Sequence, residues 1–187
     1  MRLLLDEGFP SPRGFRPESV DKTVQVEPLR AFDRALVDSS TPDWYLYLRA
    51  DEAGYDALVT RDWHQSTQVE ELWALSRTDL SIVTWRRPIE DPVREWGQLL
   101  AYLPEIRRMI AQHGPSIVFL PSPRLDRQSL EKATGMLGQL ANDLGMSRQQ
   151  VIDQARQSIE SELSTWGEDD RFRNRLDRPS ATPPPGG

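Results

Sequence analysis

The sequence predicts an α/β protein: a three-layer α/β/α fold around a mainly parallel sheet, followed by a C-terminal helical extension. Two observations support this prediction. Short apolar runs without polar alternation, such as residues 3–5 (LLL), are typical of strands buried on both faces of a parallel sheet. Amphipathic segments of helical period separate these runs, as expected for β-α-β crossover units.

Five strands are predicted, each ending at a turn or a polar signal. The first ends abruptly in Asp6 and Glu7, and the fifth is stopped by Pro121 and Pro123. The second alternates in the manner of a half-buried strand. The expected strands cover residues 3–5, 23–26, 57–60, 81–85 and 115–120.

Helices are predicted between the strands and after the last of them. Pro42 suits the first turn of a helix, Thr41 can cap it, and Gly54 follows its last turn. The other helices are predicted from apolar residues spaced three and four apart. The expected helices cover residues 42–53, 67–77, 92–113, 127–142 and 147–165.

These elements divide the chain into three expected parts. Residues 1–123 form the α/β domain, and residues 124–166 form a helical extension with no further strand. Residues 167–187 are charged and then proline-rich, so they are expected to bury too little apolar surface to fold and to form a disordered tail.

The composition excludes several classes of protein. The 187 residues include no cysteine and two histidines, which rules out disulfides, cysteine-ligated zinc and thiol nucleophiles. A net charge of −6 gives no overall attraction to nucleic acid, so any such binding needs a local basic patch. No apolar run approaches the ~20 residues needed to span a bilayer, and the N-terminus does not have the pattern of a signal peptide. A cytoplasmic protein without a membrane partner is expected.

Acidic residues follow two of the predicted strands and begin one helix. Asp6 and Glu7 follow the first strand, Asp62 follows the third, and Asp43 lies in the first turn of the helix before the third strand. Because parallel strands end at a common rim, these carboxylates are expected to converge and repel one another. Mg²⁺ or Mn²⁺ is the usual compensation, and such a cation activates water and stabilises charge on a phosphate. The alternatives are local: Asp43 stabilises its helix, and Asp62 closes a turn.

Three segments of the first 120 residues resemble the PIN-like nucleases. They are MRLLLDEGFP, TPDWYLYLRADEAGYDALVTRDW and SIVTW. They are most similar to the compact branch, like the VapC-type toxins, with one strand ending in LLDE, an acid at a helix start and a strand ending in VTRD. The resemblance implies a PIN fold and a Mg²⁺- or Mn²⁺-dependent endoribonuclease. It also implies the toxin of a type II toxin–antitoxin pair, with a cognate antitoxin as partner.

By the same resemblance, Asp6, Asp43 and Asp62 are the metal ligands, and Glu7 is an auxiliary catalytic acid. Two features depart from the family pattern. His64 stands where the branch often has a second acid, and a Pro/Gly-rich stretch replaces the first helix. These departures leave open a non-catalytic PIN-like protein that regulates or binds a partner.

Basic side chains near the predicted rim are the candidates for binding RNA. Arg61, Arg86 and Arg87 follow strands at this rim and would hold RNA phosphates, and His64 is a further candidate for phosphate contact. The alternative for Arg61 is an ion pair with a rim carboxylate. For His64, Arg86 and Arg87 it is an ordinary solvated side chain.

The C-terminal extension allows two interpretations. Ala141, Gly145 and Val151 have the spacing of a DNA-binding helix-turn-helix, with residues 148–150 (RQQ) at the start of its second helix. The favoured alternative is a plain αα-hairpin that packs against the α/β domain or a second copy of the chain. Such a hairpin would dock the antitoxin or form a homo-oligomer.

Overall fold

The computed structural model describes residues 1–10, 21–37, 41–62, 68–87, 89, 91–120 and 126–178, with the backbone alone for 126–134 and 169. Six strands form one sheet: β1 (Arg2–Leu5), β2 (Gln25–Pro28), β3 (Ala57–Val59), β4 (Ser81–Trp85), β5 (Ser116–Leu120) and β6 (Asp126–Ser129). The helices are α1 (Leu29–Phe32), α2 (Asp43–Glu52), α3 (Val69–Leu75), α4 (Pro92–His113), α5 (Leu130–Asp143), α6 (Arg148–Trp166) and α7 (Asp169–Leu176). A 3-10 turn spans Arg34–Val37.

The strand order is β2-β1-β3-β4-β5-β6, with the first five strands parallel and β6 antiparallel to β5. The chain leaves β1 for β2 on one side and then crosses back to β3 on the other. This reversal creates a switch point between the carboxyl ends of β1 and β3, where open parallel sheets usually bind their ligands.

Both faces of the sheet are covered, which confirms the predicted three-layer α/β/α fold. Leu4, Leu58 and Ile82 point to one face and share a core with the helices α2, α3 and α5 to α7. Alternate residues such as Leu5 and Val59 point to the other face and pack with α4. Burial on two sides is the reason why the strand sequences are apolar without alternation.

The start of α2 differs in detail from the expectation. Pro42 is the N-cap residue itself and makes no side-chain cap. The Thr41 hydroxyl instead donates to the carbonyl oxygen of Ala35 at 3.4 Å. The helix therefore begins without the predicted hydroxyl cap.

Two expectations for the C-terminal part were wrong. Residues 126–129 form the edge strand β6, and the helix begins only at Leu130. Their polar sequence, DRQS, has no local strand signal, and pairing with the edge of β5 overrides it. Residues 169–176 form α7 rather than part of a disordered tail. Residues 179–187 lie outside the described residues.

Helix α7 is held by two apolar side chains and a row of arginines. Phe172 is fully buried and Leu176 nearly so, one helical turn apart on the face toward α2. Three ion pairs flank them: Arg171–Glu52 at 2.6 Å, Arg175–Asp51 at 2.6 Å and Arg178–Asp79 at 3.0 Å. The local composition of residues 167–187 does not predict this helix, because its acidic partners are about a hundred residues away in the sequence.

The predicted hairpin of α5 and α6 packs on α3 and shares its core. Ala155, Ile159 and Leu163 of α6 are buried there. At the start of α6, Gln150 completes a capping box with Ser147, and Gln149 bonds Asp153. This packing is the favoured αα-hairpin interpretation. In the part of the chain that the structure describes, no helix has the length and apolar character needed to cross a membrane.

Candidate active site

Three polar residues line up across neighbouring strands at the rim of the switch point. Asp6, Thr60 and Thr84 each stand two positions after a core residue of β1, β3 and β4, namely Leu4, Leu58 and Ile82. Because side chains alternate along a strand, all three point to the face covered by α2 and α3. The row thus forms the sheet wall of a polar site beneath these helices.

Thr60 links the two acids of the neighbouring strands. Its hydroxyl donates to Asp6 Oδ2 at 2.7 Å and accepts the backbone N–H of Asp62 at 3.1 Å. Asp6 Oδ1 accepts the backbone N–H of Glu7 at 2.7 Å. Burial raises the pKa of Asp6, the Thr60 and Glu7 hydrogen bonds oppose that rise, and the charge of Asp62 adds to it. No sequence signal predicted Thr60, whose hydroxyl bonds the Asp6 carboxylate and the backbone at Asp62.

Helix α2 brings Asp43 to the same place. Asp43 is the first residue of α2 and lies mostly buried. Its burial, followed by the charges of Asp6 and Asp62, raises the pKa of Asp43 to about 6. Three carboxylates from distant parts of the sequence therefore interact, as predicted from the topology.

A fourth acid, Glu71, joins them and was not predicted. It lies in α3 and is only 4% exposed. Burial, then the charges of Asp43 and Asp62, raises the pKa of Glu71 to about 8. The pattern that predicted α3 puts Val69, Leu72, Trp73 and Ser76 on its apolar face, with Glu71 on the opposite side. That side is buried because α2 packs against α3, which a local pattern does not reveal.

The carboxylates are close enough to repel one another, but they are not arranged as a complete coordination site for a cation. Within the described residues, no three acidic or histidine side chains are grouped closely enough to hold one metal ion. Burial, followed by the charges of Glu71, Asp43, Asp6 and Asp62, raises the pKa of Tyr47 in α2 well above its usual value.

Two of the predicted site residues point away from the cluster. Glu7 is exposed and lies 3.7 Å from Arg30. Arg61 forms an ion pair with the fully buried Glu95 of α4, with Nε and Oε1 2.9 Å apart, and donates to the carbonyl oxygen of Ile89 at 3.1 Å. Burial raises the pKa of Glu95, and Arg61 opposes that rise. Arg61 thus follows the ion-pair alternative, and its role is to tie β3 to α4.

The remaining candidates have different outcomes. Arg86 and Arg87 follow β4 at the predicted rim and are exposed, and the Arg86 guanidinium lies 4.4 Å from the centre of the Phe119 ring. Arg86 stands two positions after Thr84, so the two residues share a face of the sheet. His64 lies outside the described residues.

The chain matches no protein-family model, no curated protein and no solved structure.

The acid cluster predicts an unusual pH dependence of stability. Asp43 and Glu71 have raised pKa values, so between about pH 4 and pH 8 the folded chain binds more protons than the unfolded chain. Their contribution to stability is present at low pH and is lost as the pH rises through about 6 and 8. In EDTA, urea unfolding should give a free energy of unfolding roughly 2–3 kcal/mol lower at pH 8.5 than at pH 6. Equal values at both pH values would contradict the mutual repulsion.

Proposed function

We propose that this protein is a Mg²⁺- or Mn²⁺-dependent ribonuclease of the PIN-like type. The observation that carries the proposal is that Asp6 and Asp62 meet at the Thr60 hydroxyl, at the switch point between β1 and β3, with Asp43 near enough for their charges to act on it. These acids come from three segments, and their repulsion is the charge pattern that a divalent cation relieves.

The donor atoms fit such a cation. The cluster offers carboxylate and hydroxyl oxygens, which Mg²⁺ and Mn²⁺ prefer, and the described part of it contains no nitrogen or sulfur ligand. Asp6, Asp43 and Asp62 would hold the cation. When bound, it would activate water and stabilise the charge that develops on a phosphodiester.

Other residues of the chain would position these groups and the substrate. The Thr60 hydroxyl fixes the Asp6 carboxylate and the backbone at Asp62. Arg86 and Arg87 would bind the phosphates of RNA, since both are exposed at the rim. Arg61 acts on the rim only indirectly, through its ion pair with Glu95.

The resemblance to VapC-type toxins supports a cellular role as the toxin of a type II toxin–antitoxin pair. In that role the protein works in the cytoplasm, and a cognate antitoxin is its partner. A second copy of the chain is the other candidate partner.

A specific observation favours one alternative function. Because no three carboxylates are grouped at ligand distance among the described residues, a non-catalytic PIN-like protein remains a second candidate. It would bind a protein partner or DNA through the α5–α6 hairpin, where Leu144 is 60% exposed at the turn. DNA contacts there would have to come mainly from Arg148, because Gln149 and Gln150 are already hydrogen-bonded.

Cleavage of a mixed RNA substrate by the purified full chain, in Mn²⁺ or in EDTA, separates these functions. The ribonuclease proposal predicts cleavage in Mn²⁺ that stops when EDTA removes the cation. An inert protein, or cleavage that continues in EDTA, contradicts it. If the protein does not cleave RNA, the α5–α6 hairpin is the surface to test for binding to a protein partner or DNA.

A further inference from the structure

Two buried polar atoms on the helix side of the rim have no hydrogen-bond partner among the described residues. They are Oε2 of Glu71, whose residue is 4% exposed, and Oγ1 of Thr84, whose residue is 1% exposed. Buried polar atoms in native proteins are nearly always paired with protein or with ordered water. Each of the two atoms therefore needs a partner other than the described side chains, such as a bound ion or an ordered water.

The two atoms lie toward the same space. Thr84 is part of the strand row with Asp6 and Thr60, on the face that α2 and α3 cover. Glu71 lies in the first turn of α3, and this helix follows β3 and so begins at the rim. After burial, the charges of Asp43 and Asp62 act on the Glu71 carboxylate, so this buried group lies near both acids.

Capping of α3 explains only part of what is observed for the Glu71 carboxylate. Its carboxylate accepts the backbone N–H of Gln68, the N-cap residue of α3, as the third residue of a capping box does. Glutamine makes the same cap without a charge. Helix capping therefore explains neither the unpaired Oε2 nor a carboxylate buried beside two others.

We propose that Glu71 and Thr84 form the buried inner half of the divalent-cation site, with Glu71 as a direct ligand and the Thr84 hydroxyl bonded to a water of the cation. The inference rests on the proposed function for the choice of Mg²⁺ or Mn²⁺. A cation there offsets the charge of Glu71 and gives both orphaned oxygens a partner. It also assigns the innermost ligand to α3, an element in which the sequence pattern indicated no site.

Binding of Mn²⁺ alone to the metal-free full chain tests the proposal, measured by calorimetry or by the electron paramagnetic resonance of free Mn²⁺. The Glu71→Gln variant keeps the cap and removes the charge, and we expect its Kd for Mn²⁺ to rise about tenfold or more. The neighbouring Glu70→Gln, with the same change of charge on a less buried residue, should stay within about twofold of the wild type. Thr84→Val should weaken binding about two- to fivefold.

The thermal midpoint in EDTA distinguishes a ligand from a structural carboxylate. Because Glu71→Gln replaces a buried carboxyl group beside two other acids with an amide of the same shape, its midpoint should equal or exceed that of the wild type. A lower midpoint with unchanged Mn²⁺ affinity would overturn the proposal, since it describes a purely structural residue. Wild-type protein that binds no Mn²⁺ would overturn it as well.

The outcomes also separate this inference from the ribonuclease proposal. Mn²⁺ binding that depends on Glu71 in a protein that does not cleave RNA supports the inner site and contradicts the nuclease. Metal-dependent cleavage with a Glu71→Gln variant that binds Mn²⁺ as the wild type does supports the nuclease and contradicts the inner site.

Discussion

Replacement of Asp6 by Asn is expected to reduce Mn²⁺-dependent RNA cleavage by about a hundredfold or more while the fold is retained. The variant loses the charge at the centre of the cluster but keeps an oxygen that accepts the Glu7 backbone N–H. Because burial already raises the pKa of Asp6, loss of the charge costs little stability. Initial cleavage rates and a thermal melt of the same preparation measure the two effects.

A matched variant controls for the change of net charge. Asp170 is an acidic residue of α7 with an 88% exposed side chain, so the Asp170→Asn variant should cleave RNA at the wild-type rate. Asp6→Asn protein that cleaves at the same rate as Asp170→Asn would place the activity outside this cluster. Loss of activity together with a lower melting temperature would indicate damage to the fold instead.

Replacement of Phe172 by Ala is expected to lower the free energy of unfolding by about 3–4 kcal/mol. The ring is fully buried in α7, and its centre lies 5.8 Å from that of Tyr45 in an edge-on contact. The Arg171 guanidinium lies 5.2 Å from the Phe172 ring centre and would lose this contact too. Urea unfolding followed by circular dichroism measures the loss.

Asn174→Ala on the exposed side of the same helix serves as the control and should change stability by less than about 0.5 kcal/mol. Faster proteolytic cleavage within residues 169–178 of the Phe172→Ala protein would show that α7 has detached from the body. If both variants unfold as the wild type does, α7 does not contribute to the core in solution.

The sequence predicted the elements whose signals are local. The buried strands β1, β3, β4 and β5 were recognisable because both of their faces are apolar, and α4 because its caps and period agree. The strand β6 and the helix α7 depend on partners far along the chain, namely the edge of β5 and the acids Asp51, Glu52 and Asp79. Single-sequence patterns do not contain that information.

The residues of the candidate site also divide into those that the sequence pattern predicts and those that depend on distant partners. Asp6, Asp43 and Asp62 could be predicted as candidates because parallel strands end at one rim, which topology alone requires, and their role as ligands stays a prediction. Thr60 and Glu71 were missed because a hydroxyl has no distinctive pattern and because α2 buries the polar side of α3. For Arg61 the sequence allows either RNA binding or an ion pair, and the partner Glu95 is evident only once α4 is placed beside β3.

The docking of α7 on α2 has a consequence for synthesis on the ribosome. Glu52 and Arg171 are 119 residues apart, and at roughly 5–20 residues per second the nascent chain takes on the order of ten seconds to make that stretch. Until then, the face of α2 that later contacts Phe172 stays uncovered. Because the same helix carries Asp43, the acid cluster reaches its final support only when translation is nearly complete. Premature termination before residue 172 would therefore release a chain in which α2 lacks its contacts with Phe172, Arg171 and Arg175.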